Sequence, residues 1–347
     1  MNETAGGRWR ALGFVGLAVV CLGTATGYVL HSKARVDKLT QAAALLPAAP
    51  PETVASVAAH PHVLFRNTST AAEAGFVALA PLEAPNGTRQ ITRYDCRRVA
   101  MAAGRGLCLA EQDDEPFESP YRARTFGPDF ATIHDLPLGG LPSRARVSPD
   151  GRYGAATVFV TGDSYAPTTF STRTTLFDMA AGTSLGELES FAAFKSGERF
   201  QSVDFNYWGV TFARPSGRFY ATLGTEGHTY LVEGDVAARR VTVLRDGVEC
   251  PAVSPDGTRI AFKSRVSGGG LAEDVRWRLS VMALDTLVDH PLAETRNIDD
   301  QAEWLDDGTV LYGLESDTWA VPADGTGTPS LFASRADSLV VVPTATP

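Results

Sequence analysis

The chain of 347 residues has only four cysteines and six histidines, and no two cysteines are spaced as Cys-x-x-Cys. That scarcity excludes a small fold stapled by disulfides and leaves no zinc-finger spacing. Basic residues are outnumbered by acidic ones, 31 to 40, for a net charge of −9. Without a cluster of Lys and Arg to neutralise phosphates, nucleic acid is not an expected partner. A Gly-x-Ser-x-Gly nucleophile elbow is missing too, since Gly162-Asp163-Ser164-Tyr165-Ala166 departs at its last position. His60-Pro61-His62 offers two metal ligands but no third, and reads as surface at a linker junction. The acidic run Glu111-Gln112-Asp113-Asp114-Glu115 lacks the glycine-punctuated spacing of a calcium loop and reads as a solvated turn. No catalytic, cofactor-binding or metal-ligating residue is therefore assigned.

What the chain does have is enough apolar material for a large core, with 44% hydrophobic and 20% charged residues. Its first apolar feature is ALGFVGLAVVCLGTATGYVL, residues 11–30, uncharged over about the 20 residues that a helix needs to cross a bilayer. This predicts a signal anchor, with residues 1–10 as a short cytoplasmic amino terminus. The alternative is a cleaved signal peptide ending at the small residues Gly23 and Ala25. The anchor is preferred because the apolar run continues through Tyr28-Val29-Leu30. A lipoprotein reading through Cys21 is disfavoured by the bulky Val20. Arg8 and Arg10 on one side and Lys33, Arg35 and Lys38 on the other leave orientation undecided by charge. Residues 31–59 are rich in Ala and Pro and read as a linker, with the globular domain over 60–347.

The globular part is built on a repeated phrase. CPAVSPDGTRIAF, from Cys250, recurs as RARVSPDGRYGAATVFV from Arg144, VTFARPSGRFYATLG from Val210 and QAEWLDDGTVLYGL from Gln301, with a fainter copy, RRVAMAAGRGLCLA, from Arg97. In each, two strand-like runs flank a tight turn: Pro fixes φ, Asp or Ser suits the next position, and Gly supplies the left-handed residue that returns the chain. Each turn and its strand are followed by two more short apolar runs, which makes four strands per unit. The copies recur about every 40 to 50 residues, the period of propeller blades, with one longer interval that places an insertion within 162–204. One further unit, HVLFRNT, GFVALAP and TRQITRY, lacks its opening strand. The run SLVVVP at 338–343 is the expected replacement, closing a ring of six blades and hiding its edges.

The Pro-Asp-Gly hairpin followed by an Ile-Ala-Phe-like strand resembles the TolB-type, WD-like β-propeller repeat, most specifically at Ser148 and Ser254. The expected fold is thus all-β, a six-bladed β-propeller preceded by an N-terminal transmembrane helix. The resemblance implies an extracytoplasmic domain used for protein contacts beside the cell envelope. The chain is accordingly expected in the cell membrane, single-pass, with an unidentified envelope protein as partner. Cys96 and Cys108, on the two arms of the Gly104 hairpin, lie at a separation that suits a disulfide, which would persist in that compartment; two buried free thiols are the alternative. Cys250 reads as a small core residue. Asp204, Asn206, Glu249, Asp300 and Glu303 fall near the starts of opening strands and are candidates for the channel mouth. They keep open a second function, a lactonase-like hydrolase with metal at that mouth, against the preferred binding or scaffold module. Within the insertion, Phe191, Phe194, Lys195, Glu198, Arg199 and Phe200 are candidates for the partner contact, or else for a loop folded over a blade edge.

Overall fold

The recurring Ser-Pro-Asp-Gly phrase has a local reason. At the first copy Ser148 Oγ donates to Asp150 Oδ1 (2.6 Å) and accepts from the Tyr153 amide (2.9 Å), while the Arg152 amide donates to Asp150 Oδ1 (3.0 Å) and the Gly151 amide to Ser148 O (2.7 Å). The second copy repeats the set through Ser254, Asp256, Thr258 and Arg259. Serine and aspartate therefore satisfy the amides that a tight turn leaves bare. Gly151 and Gly257 close the turns with φ of 71° and 73°. The divergent copies reach the same end differently: Ala103 and Gly104 both take positive φ, and Gly308 stays outside the left-handed region.

The computed structural model describes residues 14, 17, 21–35, 38, 48–69, 72–112, 120–160, 171–267 and 275–343. It divides into two units, Met1–Pro47 with Thr70–Glu73, and Ala48–Ser69 with Ala74–Pro347. In the first, residues 21–35 are helical. Among the described residues no helix is long and apolar enough to cross a membrane. Most of 11–20, the first half of the expected span, lies outside them.

The second unit is a ring of six antiparallel sheets, five of four strands and one of six. The innermost strands are Ala336–Val342, Arg98–Ala102, Leu141–Val147, Asn206–Phe212, Glu249–Val253 and Glu303–Asp306, for blades 1 to 6 in ring order. The ring closes where the last strand of the chain pairs with the first: His62 lies opposite Val342, Leu64 opposite Val340 and Asn67 opposite Ala336. This is the closure expected from SLVVVP.

Six apolar clusters hold the ring together, each shared by two neighbouring blades. One strand shows how. In blade 2, Cys108 and Ala110 pack toward blade 1, whereas Leu107 and Leu109 pack toward blade 3. Alternating side chains of one strand thus feed two different cores. That explains why blade strands read as continuous apolar runs rather than as a polar and apolar alternation.

Two features depart from the simplest reading of the sequence. Residues 48–59 are packed into the propeller unit: Ala49 donates its amide to Ile91 O (2.9 Å), and the helix Pro51–Ala58 buries Val54 in the core between blades 1 and 2. Because the first strand runs antiparallel to the innermost strand of blade 1, the chain enters the ring on the face that carries the tight turns. The second feature is the insertion. Its described part forms a hairpin, Ala192–Lys195 and Glu198–Phe200, that adds to the outer strand of blade 4 in parallel, Ala193 opposite Val241. Residues 162–170 of the insertion, which include the imperfect elbow motif, lie outside the described residues.

Deleting residues 336–347 removes the closing strand and the burial of Leu339, Val340 and Val342. That burial alone is on the order of 5 kcal/mol. Calorimetry of the truncated chain should show a melting midpoint roughly 10 °C or more below that of the intact one. Equal midpoints would mean that the ring does not depend on this pairing.

Candidate functional site

The innermost strands begin on the face opposite the tight turns, and polar residues along and just before them converge on a small cavity. It has a volume of about 40 Å³ and is lined by Arg98, Arg144, Arg146, Asp300, Glu303 and Asp337 among others. That is room for a few water molecules and well below the several hundred Å³ of a small-molecule site. Three cations face three carboxylates: Arg98 pairs with Asp337 (3.0 Å), Arg144 with Asp300 (3.2 Å) and Arg146 with Glu303 (3.4 Å). Each pair joins two different blades. Arg98 also donates to Ser143 O (2.6 Å), and Arg146 to Ala302 O (2.8 Å). Gln301, buried beside them, donates to Val210 O (3.2 Å) and Pro251 O (2.8 Å), tying blade 6 to blades 4 and 5.

The five residues expected at the mouth divide accordingly. Asp300 and Glu303 line the cavity. Glu249 is buried in blade 5, 3.9 Å from Lys263. Lys263 gives its ammonium to Asp299 by a direct hydrogen bond and lies over the Trp277 ring (4.3 Å). Burial pushes the Glu249 carboxyl up to about 7, and Lys263 and Arg265 offset only part of that. Asp204 and Asn206 hold the backbone instead. Asp204 accepts from Ser202 Oγ (2.6 Å), Thr225 Oγ1 (2.5 Å) and the Glu226 amide (2.7 Å). Asn206 accepts from the Thr172 amide (2.9 Å) and Ser171 Oγ (3.2 Å), which stitches blade 4 to blade 3. Among the described residues no three of His, Cys, Asp and Glu are grouped as a metal site would require.

Sequence reasoning missed the basic half of this lining. Its trace was present: Arg144-Ala145-Arg146 puts two charges two residues apart, on one face of a strand that otherwise reads as apolar. It also missed Glu189, in the short turn Leu188–Ser190 between blades 3 and 4. The partly buried Glu189 carboxyl accepts from its own amide and, at longer range, from the Thr174 amide (3.3 Å) and the Tyr207 amide (3.4 Å). Burial pushes it up to about 8, against the lowering effect of those amides and with a further push from Glu187.

The cysteines sit somewhat differently from a simple cross-strand pair. Cys108 lies opposite Val99 in the ladder, and Cys96 precedes that strand, in the link from blade 1. The two form a disulfide with Cα atoms 5.5 Å apart, buried in the core between blades 1 and 2. Cys250 is buried and free, its thiol pushed up by burial. His62 is buried, with Nδ1 bonded to His60 O (2.8 Å). Glu111 pairs with Arg97, and Asp113-Asp114-Glu115 lie outside the described residues.

No protein-family model matches the chain, and no curated protein does. Solved structures do. TolB from Acinetobacter baumannii superposes with a TM-score of 0.56 at 14% identity, over 82% of this chain and 67% of that one. A chain of a nidogen/laminin complex superposes with a TM-score of 0.52 at 12% identity, over 82% of this chain and 99% of that one. At such identities the likeness is one of fold: the chain is a six-bladed β-propeller similar in architecture to TolB.

The Glu189 carboxyl carries a stability signature. Its folded value of about 8 lies above the ordinary 4.5, so the folded state holds a proton that the unfolded chain has already released in that window. Its contribution is present below the ordinary value and is lost as pH rises toward about 8. Urea unfolding of Glu189→Gln should show a variant whose stability relative to the native chain improves from pH 5 to pH 9. A pH-independent difference would show that Glu189 does not titrate in that range.

Proposed function

We propose that this chain is a membrane-tethered, extracytoplasmic propeller that acts as a binding or scaffold module at the cell envelope. The observation that carries the reading is the state of the channel mouth. Its three arginines and three carboxylates are paired with one another across blades, and the cavity they line has room for only a few waters. Groups committed to holding blades in register are poorly placed to act as nucleophile, general base or metal ligand. Function then falls to the outer surfaces and connecting loops, the usual contact sites of propellers.

The tether is supported by the uncharged run at 11–30, whose described residues Phe14, Leu17, Leu22, Tyr28, Val29 and Leu30 leave their apolar side chains exposed. An anchor confines the domain to a thin layer and raises its effective concentration toward envelope partners, so that modest affinity suffices. With residues 48–59 docked on the propeller, the stretch left to serve as the linker shortens to 31–47.

Protease added to intact cells should cut within 31–47 and release a folded propeller. Protection of the whole domain would place it on the cytoplasmic side and overturn the assignment. Crosslinking in the native envelope should capture a defined protein partner, and the absence of any would sink the binding reading.

A further inference from the structure

Half of the described arginines of the propeller are matched with carboxylates, as at Arg66, Arg97, Arg122, Arg124, Arg218 and Arg245. The outer rim of blade 4 gathers several of the unmatched cations in one place. Lys195, Arg199, Arg239 and Arg240 are all exposed there, and among the described residues no carboxylate lies within 4.0 Å of any of them. Aromatic rings support them instead. Arg240 lies over Phe194 (4.1 Å), whose ring also has Arg199 nearby (5.5 Å). Lys195 lies over Tyr230 (4.3 Å) and Phe200 (5.4 Å), and Arg239 over Phe191 (4.7 Å).

Rings beneath the cations hold them extended without consuming their N–H donors, so the guanidinium edges of Arg199 and Arg240 stay free for a carboxylate. Among the described residues neither guanidinium makes a hydrogen bond or an ion pair. Arg239 is a brace, donating to Leu185 O (2.5 Å) and Ser190 Oγ (2.8 Å), and Lys195 donates to Tyr230 Oη (3.2 Å). Two carboxylates border the patch. Glu198 stands opposite Lys195 at the hairpin tip, and Asp235 stands opposite Arg240 but is turned to the Ala238 amide (2.8 Å). The patch thus keeps an excess of positive charge on a chain whose net charge is −9. Both of its free arginines stack on Phe194, a residue of the hairpin that this blade carries beyond the usual four strands.

We infer that this rim docks an acidic polypeptide segment of the partner, with Arg199 and Arg240, on the face of the hairpin that carries Phe194, as its carboxylate contacts. The inference rests on the binding reading above. It also gives Phe194 a role: Phe200, on the other face of the hairpin, packs on the core between blades 3 and 4, whereas the Phe194 ring supports both arginines. A bilayer surface is the less favoured occupant, because the patch lies on the side wall of a disc whose chain enters at blade 1, across the ring.

The test uses the full chain in neutral detergent and a fluorescein-labelled octaglutamate peptide, with binding read by anisotropy at low salt. Binding should weaken about 3-fold in Arg199→Glu or Arg240→Glu and about 10-fold in the pair, as salt-sensitive contacts do. Arg199→Lys with Arg240→Lys should retain most of it. Arg276→Glu, the same charge change at an exposed site on blade 5, should leave it within about 2-fold. Absence of peptide binding by the native chain, or equal weakening by Arg276→Glu, overturns the proposal. So does tighter binding to phosphatidylglycerol vesicles than to the peptide. If envelope crosslinking captures a partner that the paired reversal leaves in place, this surface is wrong and the binding reading stands; if it captures none, the binding reading itself fails.

Discussion

No blade of this protein can stand alone, because both faces of every sheet are apolar and each is covered chiefly by the neighbouring blade. A strand such as Arg105–Glu111 sends alternate side chains into two different cores, so removing either neighbour would leave half of them in water. The six shared cores are stable only as a closed set. The pairing of Ala336–Val342 with His62–Asn67 is therefore the contact on which the rest depends, and it joins the two ends of the domain through their longest sequence separation. Non-local contacts of this kind form late and cooperatively in folding.

Closure also accounts for the chemistry of the channel. Six innermost strands brought to a common axis must place their axial side chains close together, where apolar ones would have to fit without voids and charged ones must be neutralised. Here Arg98, Arg144 and Arg146 on blades 2 and 3 are answered by Asp337, Asp300 and Glu303 on blades 1 and 6. These pairs bridge blades and fix their rotation about the axis, the specificity role that part-buried ion pairs can serve. Gln301 and Trp304 add neutral bridges of the same kind, Trp304 donating to Ala252 O (2.8 Å).

The outer rim obeys a different constraint. An outermost strand offers unpaired amides and carbonyls, and most blades leave it short or charged. Blade 4 pairs its outer strand with an inserted hairpin, whose own edge strand, Glu198–Phe200, is three residues long and carries Glu198 and Arg199. The cationic side chains stacked there serve the same edge twice, discouraging sheet-to-sheet pairing and offering a directional surface for charge.

The amino-acid sequence by itself determined the blade, the blade count and the point of closure. Those depend on local chemistry that repeats: Ser and Asp oxygens that satisfy turn amides, a glycine or its substitute at positive φ, and apolar runs of strand length. The unit lacking an opening strand and the spare run at the end of the chain were legible for the same reason. The tertiary structure alone decided which polar residues meet. Asp300 and Glu303 reach the cavity while Asp204 and Asn206, at equivalent places in the repeat, are consumed by backbone amides. That difference arises from the partners each finds in space, the Glu226 and Thr172 amides for Asp204 and Asn206 and the arginines of blade 3 for Asp300 and Glu303, which no spacing rule records. The arginine partners, the docking of residues 48–59 and the parallel addition of the hairpin to blade 4 were likewise settled by packing, because each depends on the neighbours of a segment in space and not on its neighbours along the chain.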